Sequence, residues 1–352
     1  MSAAIEVTAP GVLATIQDLG RSGWRRFGVP RAGALDAGLL RIANRLAGND
    51  QAAPGIEFFI AGPSFKALDA TVRLAFAGDF TLMLQRGGER SVLESWRSVT
   101  LQPGDSLRIG APRAGRVGYV AIGGLAVPAV LGSASTYTRA RLGGLQGRAL
   151  AAGDRLQVAA VPQPPPGATA PESVLKAPPV MSDAPIRVVP GPQDDHFDAA
   201  TFGRFFGAEY RVSRDADRMG MRLEGPALQH RPDKGAEIVS DATVPGSIQV
   251  PGNGLPIVLL ADGQTAGGYP KIATVISADL ARLACAAVGA VLRFAAVSVA
   301  QAEALAHERE AELQRCLAAI EPLTLVDGID LEAIYANNLI SAMIDALHPA
   351  DG

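Results

Sequence analysis

Sulfur is nearly absent from this chain. Cys285 and Cys316 are the two cysteines among 352 residues, far apart and outside any metal-type spacing. That argues against disulfide dependence and against a cysteine metal centre, and it points to the cytoplasm. No apolar run reaches the roughly 18 residues that a spanning helix needs. The first residues, MSAAIEVTAPG, carry neither a charged n-region nor an apolar h-region, so no signal peptide is expected. A strong charge of either sign is missing too: the net value is -3. Such a balance projects no field toward nucleic acid or an anionic membrane, and neither is expected as a partner. No GxxxxGK[ST] phosphate loop is present.

What is plentiful is apolar surface and turn chemistry. Hydrophobic residues make up 48% and charged residues 19%, enough for a large core. Glycine (39) and proline (25) are both abundant. From Ile56 to Leu125, short apolar runs alternate with Gly and Pro, the pattern of a barrel or sandwich. Asp36 reads as an N-cap, with Leu39, Ile42, Ala43 and Leu46 at helical spacing and Gly48 as the stop. A helix over 37–47 follows. Asp105 and Asp154 read as turn residues.

Residues 161–185 are proline-rich and read as an extended linker that packs poorly. They divide the chain into an N-terminal β unit, 1–160, and a second, 186–297. Each has a strand, a Pro-Gly break, an Asp-led segment and a Phe-Gly, in that order, which reads as a diverged duplication. A helical extension, 298–352, closes the chain. Ser298 and Gln301 have capping-box spacing. Ser277 is expected to cap a helix to 288, and Asp330 a last one.

Three stretches concentrate polar groups. Residues 248–276 lead through Gln249 into Gln264, Thr265, Gly267, Gly268 and Tyr269, either a decorated hairpin or a ligand loop. Residues 131–145 bring hydroxyls, Tyr137, Arg139 and a Gly pair together, either a solvated loop or an anion site. Residues 210–225 hold Arg214, Asp217, Arg218 and Arg222. They form either a surface ladder worth roughly 0–1 kcal/mol per pair or an arginine clamp. Arg31 and Asp36 sit before the first helix, where a positive helix end can hold an anion.

Five blocks in this order resemble one family: PGVLATIQDLGR at 10–21, GVPRAGALD at 28–36, VLGSASTYTRARLGGLQGRAL at 130–150, YRVSRDADRMGMRLEG at 210–225 and the whole of 248–276. The chain resembles the family of KipA and of PxpC, the C subunit of 5-oxoprolinase, also described as allophanate hydrolase subunit 2-like. It is similar to the carboxyltransferase domain of biotin-dependent urea carboxylase. Two positions depart from the family pattern: Ala266 where many relatives have Thr, and Ala134 where many have Arg.

The resemblance implies a mainly β fold of two cyclophilin-like β-barrel units with a few short helices. It implies an ATP-dependent 5-oxoprolinase in which this chain works with two partners, a KipI-like B subunit and a LamB/YcsF-type A subunit. Two alternatives are a biotin-dependent carboxyltransferase acting on urea or another small amide, and a non-catalytic partner of a KipI-like regulator. No biotinyl-lysine motif is visible, so no cofactor is expected to be covalently bound here. ATP would be used by the assembled complex, and carboxybiotin, in the alternative, would come from a partner. The expected catalytic residues are Arg214, Asp217, Arg218, Gln264 and Tyr269. The expected substrate-binding residues are Arg31, Asp36, Tyr137, Arg139, Arg222, Gln249, Thr265, Gly267 and Gly268. No metal is expected.

Overall fold

The computed structural model describes residues 3–158, 171–180 and 182–323. The strands gather into two β assemblies. In the first, a six-stranded sheet runs in the order Arg155–Val158, Ala3–Ala9, Ser64–Ala67, Ser106–Ile109, Thr81–Arg86, Glu89–Glu94. A five-stranded sheet runs Val12–Gln17, Gly55–Phe59, Val117–Ile122, Val72–Ala77, Ser98–Leu101. Every pairing in these two sheets is antiparallel. Alternation sends Ile5, Val7, Phe65, Leu82 and Leu107 inward from the first sheet to meet Ile16, Phe58, Phe76 and Val120 from the second. Each such side chain contributes roughly 1.5–3 kcal/mol on burial. Gly118 is required there, because a Cβ would lie 2.4 Å from the Phe58 ring.

The second assembly is one eight-stranded sheet, in the order Val291–Leu292, Tyr210–Ala216, Gly220–Glu224, Ile257–Leu259, Ser247–Gln249, Lys271–Val275, Ile186–Pro190, Phe294–Ala296. Its two outermost strands are separated only by Arg293, so the sheet curls back on itself and nearly closes. Closure removes the exposed edges that an open sheet would present.

Four helices complete the described residues. Helix α1, Ala37–Ala47, starts on Asp36, whose Oδ1 accepts from the Leu39 N–H at 3.0 Å. It packs Leu40, Ala43 and Leu46 toward Val117–Ile122 and Val72–Ala77. Helix α2, Ala199–Gly207, is capped by Asp198 in the same way. Helix α3 spans Ser277–Ala284. Helix α4, Val299–Ala318, opens on the expected Ser298/Gln301 capping box. It is held to α1 by a bidentate Arg41–Glu310 pair. None of these helices is long and apolar enough to cross a membrane.

Local expectations differ from the structure in two places. Ser277 does not cap α3: the N-cap is Ile276, and the helix stops at Ala284. Asp279 holds the first turn instead, taking both the N–H and the guanidinium of Arg187. The proline-rich stretch does pack over 171–175. Glu172 bridges Arg97 and the Thr100 N–H, Leu175 is buried, and Ser173–Val174 pairs with Glu321–Pro322. Specific polar bonds outweigh the poor packing its composition suggests. The helix expected after Asp330 lies outside the described residues.

Candidate active site

The two assemblies are joined by a buried polar knot. Strand Gly55–Phe59 is buried along its whole length, yet its middle residue is Glu57. One carboxylate oxygen accepts from the Leu35 N–H at 2.8 Å and the Tyr119 hydroxyl at 2.6 Å. The other accepts from Arg218 of the second assembly. Arg218 also grips Asp262 through Nε and Nη2, at 3.0 and 2.9 Å, and donates to the Gly33 carbonyl. Burial works against charge on Arg218, but the two carboxylates outweigh it and hold the guanidinium above its ordinary range. Burial, reinforced by Glu57, pushes the Tyr119 phenol well up.

This knot fixes the start of the glycine-rich loop. Asp262 donates its N–H to the Arg218 carbonyl, and the Ala261 carbonyl accepts from the Ala32 N–H. Gln264 follows. Its backbone carbonyl takes the Thr243 hydroxyl and Arg25, and its side-chain amide donates to Gln249 Oε1 at 3.1 Å. The short strand Ala266–Gly267 pairs with Asp241–Ala242, and the Gly268 carbonyl accepts from Ile238. Gly267 lies directly over Gln249: a Cβ there would come within 2.5 Å of Gln249 Nε2. That amide nitrogen is buried and has no partner among the described residues.

Beside it is a buried lysine. Lys271 is 2% exposed and faces Gln249 across the strand pairing. Its Nζ meets Asp241 at 2.9 Å, and Gln193 ties the two, taking the Lys271 N–H and donating to the same carboxylate. The Lys271 hydrogen bond, helped by Gln193, pulls the Asp241 carboxyl down to about 2. Gln249 and Gln264 thus meet under Gly267, and Lys271, paired with Gln249 across the strands, links them to Asp241 and Gln193. The set offers amide donors, a fixed ammonium and a carboxylate, which suits an amide or lactam whose carbonyl oxygen gains negative charge.

The other expected residues lie at varied distances from this centre. Tyr269 is 40% exposed on the loop, and the Thr265 carbonyl is bonded to Thr243. Arg214 and Arg222 point to solvent from the strands that bury Val212, Met221 and Leu223. Asp217 closes the intervening turn by accepting from Met219 and Gly220. Of the charged block, only Arg218 turns inward, and there it is consumed by protein partners. The clamp expected of these arginines is thus one structural arginine and two surface ones. Tyr137 is half-buried and Arg139 exposed at the turn Thr138–Ala140. The buried part of that loop, Ser133 to Ser135, fastens Asp18. Arg31 and Asp36 line a separate cavity of about 330 Å³ between α1, α3 and α4, with Leu260, Ala261 and Leu313. Among the described residues no cluster of His, Cys, Asp and Glu could hold a metal.

Sequence reasoning missed Lys271, Asp241, Gln193 and the Glu57–Asp262 pair. For Lys271 a signal exists: it shares alternate positions with Ala273 and Val275, so the strand's own pattern buries it.

Comparison with known proteins identifies the family. A family model described as carboxyltransferase domain, subdomain A and B matches residues 27–296. The chain is 36% identical over 303 residues to the C subunit of 5-oxoprolinase from Escherichia coli (strain K12), covering 85% of this chain and 93% of that protein. It is 31% identical over 331 residues to urea amidolyase of Saccharomyces cerevisiae, covering 88% of this chain and 18% of that protein. Among solved structures, the Kluyveromyces lactis urea amidolyase superposes with a TM-score of 0.78 at 28% identity, over 92% of this chain and 20% of that one. TTHA0988 superposes with a TM-score of 0.70 at 37% identity over 83% of this chain, which spans about half of that chain (55%). With its matched span and its full-length relatives taken together, the chain belongs to the carboxyltransferase domain, subdomain A and B family.

Proposed function

We propose that this chain is the C subunit of a 5-oxoprolinase, working with two partners, a KipI-like B subunit and a LamB/YcsF-type A subunit. The assembled complex hydrolyses ATP and adds water across the lactam C–N bond of 5-oxoproline. Oxygen goes to the carbonyl carbon and the proton to nitrogen, giving the side-chain carboxylate and free amine of glutamate. The observation that carries the reading is the enclosed, unpartnered Gln249 Nε2 beneath Gly267. A buried donor without an acceptor costs about 1–3 kcal/mol, a cost that a substrate carbonyl would remove. Gln249 then donates to the lactam oxygen, while Lys271, held by Asp241, supplies positive charge nearby. Gln264 orients Gln249, and Tyr269 covers the loop from the solvent side. Near-complete matching to two proteins of this name supports the assignment.

The test is co-expression with candidates for the two partners, followed by glutamate release from 5-oxoproline with and without ATP. A soluble three-protein complex with no ATP-dependent release refutes the reading. A second reading, a biotin-dependent carboxyltransferase for urea or another small amide, is supported by the close superposition on urea amidolyase. Carboxybiotin would then come from a partner chain, and its ureido carbonyl suits the same Gln249 donor. Urea-dependent consumption of bicarbonate in the presence of a biotin-carrying partner would favour it over the first.

A further inference from the structure

Two arginines near the turn 262–264 hold guanidinium donors that no carboxylate of the described residues accepts. Arg21 is 1% exposed. Its Nη2 donates to the Ser135 carbonyl, but Nε and Nη1 have no partner. The neighbouring carboxylates are already engaged. Asp18 accepts from the Ser133 and Ser135 hydroxyls and from the N–H groups of Gly20 and Ala134. Asp262 belongs to Arg218. Burial lowers Arg21 from its ordinary range, with Asp18 and Asp262 compensating only in part. Four residues on, Arg25 reaches across the junction. Its Nη2 donates to the Thr243 carbonyl at 2.6 Å and the Gln264 carbonyl at 3.3 Å, while Nη1 is enclosed without a partner. Burial lowers this group as well.

Guanidinium groups kept from water are ordinarily paired, because an unpaired buried charge is strongly unfavourable. The buried Arg21 and the partly buried Arg25, whose Nη1 alone is enclosed, leave unused donors on either side of the turn 262–264. Arg25 backs the Gln264 carbonyl, and the Gln264 side chain touches Gln249. Unused N–H donors on two cationic groups suit an anionic carboxylate better than a neutral group.

We propose that Arg21 and Arg25 receive the carboxylate of the substrate while Gln249 and Lys271 address its amide. The chain thereby selects an amide or lactam bearing a carboxylate next to its nitrogen over a neutral one such as urea. This inference rests on the 5-oxoprolinase reading and deepens it. Arg25 is the specificity residue, since its position depends on both assemblies.

The experiment compares 5-oxoproline with 2-pyrrolidinone, the same ring without the carboxylate, in the three-protein complex. Wild type, Arg25→Ala, Arg25→Lys and Arg21→Lys are assayed. Arg25→Ala is expected to raise the KM for 5-oxoproline by about 10- to 100-fold, the range for losing a charged hydrogen bond. The preference for 5-oxoproline over 2-pyrrolidinone should collapse by the same factor, with Arg25→Lys intermediate. An unmoved KM, or an equal loss for both lactams, overturns the proposal while leaving the 5-oxoprolinase reading intact. Calorimetric titration of both lactams into the complex without ATP separates the two failures. A complex that turns over neither lactam refutes the activity, yet an Arg25-dependent preference for 5-oxoproline in binding still supports the carboxylate site. Competition by inorganic phosphate but not by acetate overturns it. Should Arg21→Lys fail to fold, the Arg25 pair decides alone.

Discussion

Replacing Glu57 by Gln tests the knot between the two assemblies with a single atom change. Glu57 serves three donors: Leu35 N–H and Tyr119 hydroxyl on one oxygen, Arg218 on the other. A glutamine has only one acceptor oxygen. With that oxygen toward Leu35 and Tyr119, its NH2 faces Arg218 donor to donor, and a buried ion pair loses one partner, a change of about 3–5 kcal/mol. With the amide flipped, two buried donors are orphaned at about 1–3 kcal/mol each. The two orientations together bracket a loss of roughly 2–6 kcal/mol. Urea denaturation should show this as a lower midpoint with an unchanged slope. A double-mutant cycle with Arg218→Met should then be strongly non-additive, because the second change removes the charge that the first left exposed. A loss below about 1 kcal/mol, or additive effects, would refute the account of Glu57 as the acceptor that holds Arg218.

Three further outcomes follow. Gly267→Ala places a methyl 2.5 Å from Gln249 Nε2, so turnover by the complex should fall at least roughly tenfold while the unfolding midpoint of the chain moves little. Lys271→Met removes the main cause of the low Asp241 value. Carboxyl titration by NMR should show Asp241 rising from about 2 toward the ordinary 3.9 or so. The sign follows from the depression: in wild type the link is complete above the ordinary carboxylate range and is lost only as pH falls toward about 2, so activity across neutral pH should not titrate with Asp241. Asp36→Ala deletes the α1 cap and should cost about 1 kcal/mol in the same denaturation assay, whereas Asp36→Asn should restore most of it.

Much of the architecture is legible because it rests on local rules. Asp36, Gly48 and the spacing of Leu39 to Leu46 define α1 without help from the rest of the chain. Ser298 and Gln301 define the start of α4 in the same way. The strand-and-turn rhythm of residues 56–122 reflects short apolar runs punctuated by Gly and Pro, which are written residue by residue. Residues 248–276 likewise announce the loop that roofs Gln249. What is not legible depends on pairs distant in sequence. Glu57 and Arg218 are 161 residues apart, and no periodicity relates them. The arginines of 210–225 look alike in sequence. The structure separates them by place on a hairpin: Arg214 and Arg222 face outward from its strands, and Arg218 is buried in the turn. Ser277 fails as a cap because Asp279, two residues later, finds Arg187 on a neighbouring strand. Lys271 is readable in principle, but a lysine flanked by Pro270 and Ile272 looks like an ordinary strand end until its partner Asp241 is seen.

The junction between the assemblies is stitched from several separate segments. Arg25 crosses to Thr243, Ala32 to Ala261, Glu57 to Arg218, and Arg116 to the carbonyls of Ala216 and Ala284. The two assemblies cannot separate without breaking a desolvated ion pair, a cost too high to recur at every turnover. Under the proposed function, substrate would reach Gln249 past the exposed loop around Gln264 and Tyr269, whose displacement touches fewer bonds than separation of the two assemblies. Capture would then be set by a few residues or by whichever partner leans on them, with the frame undisturbed.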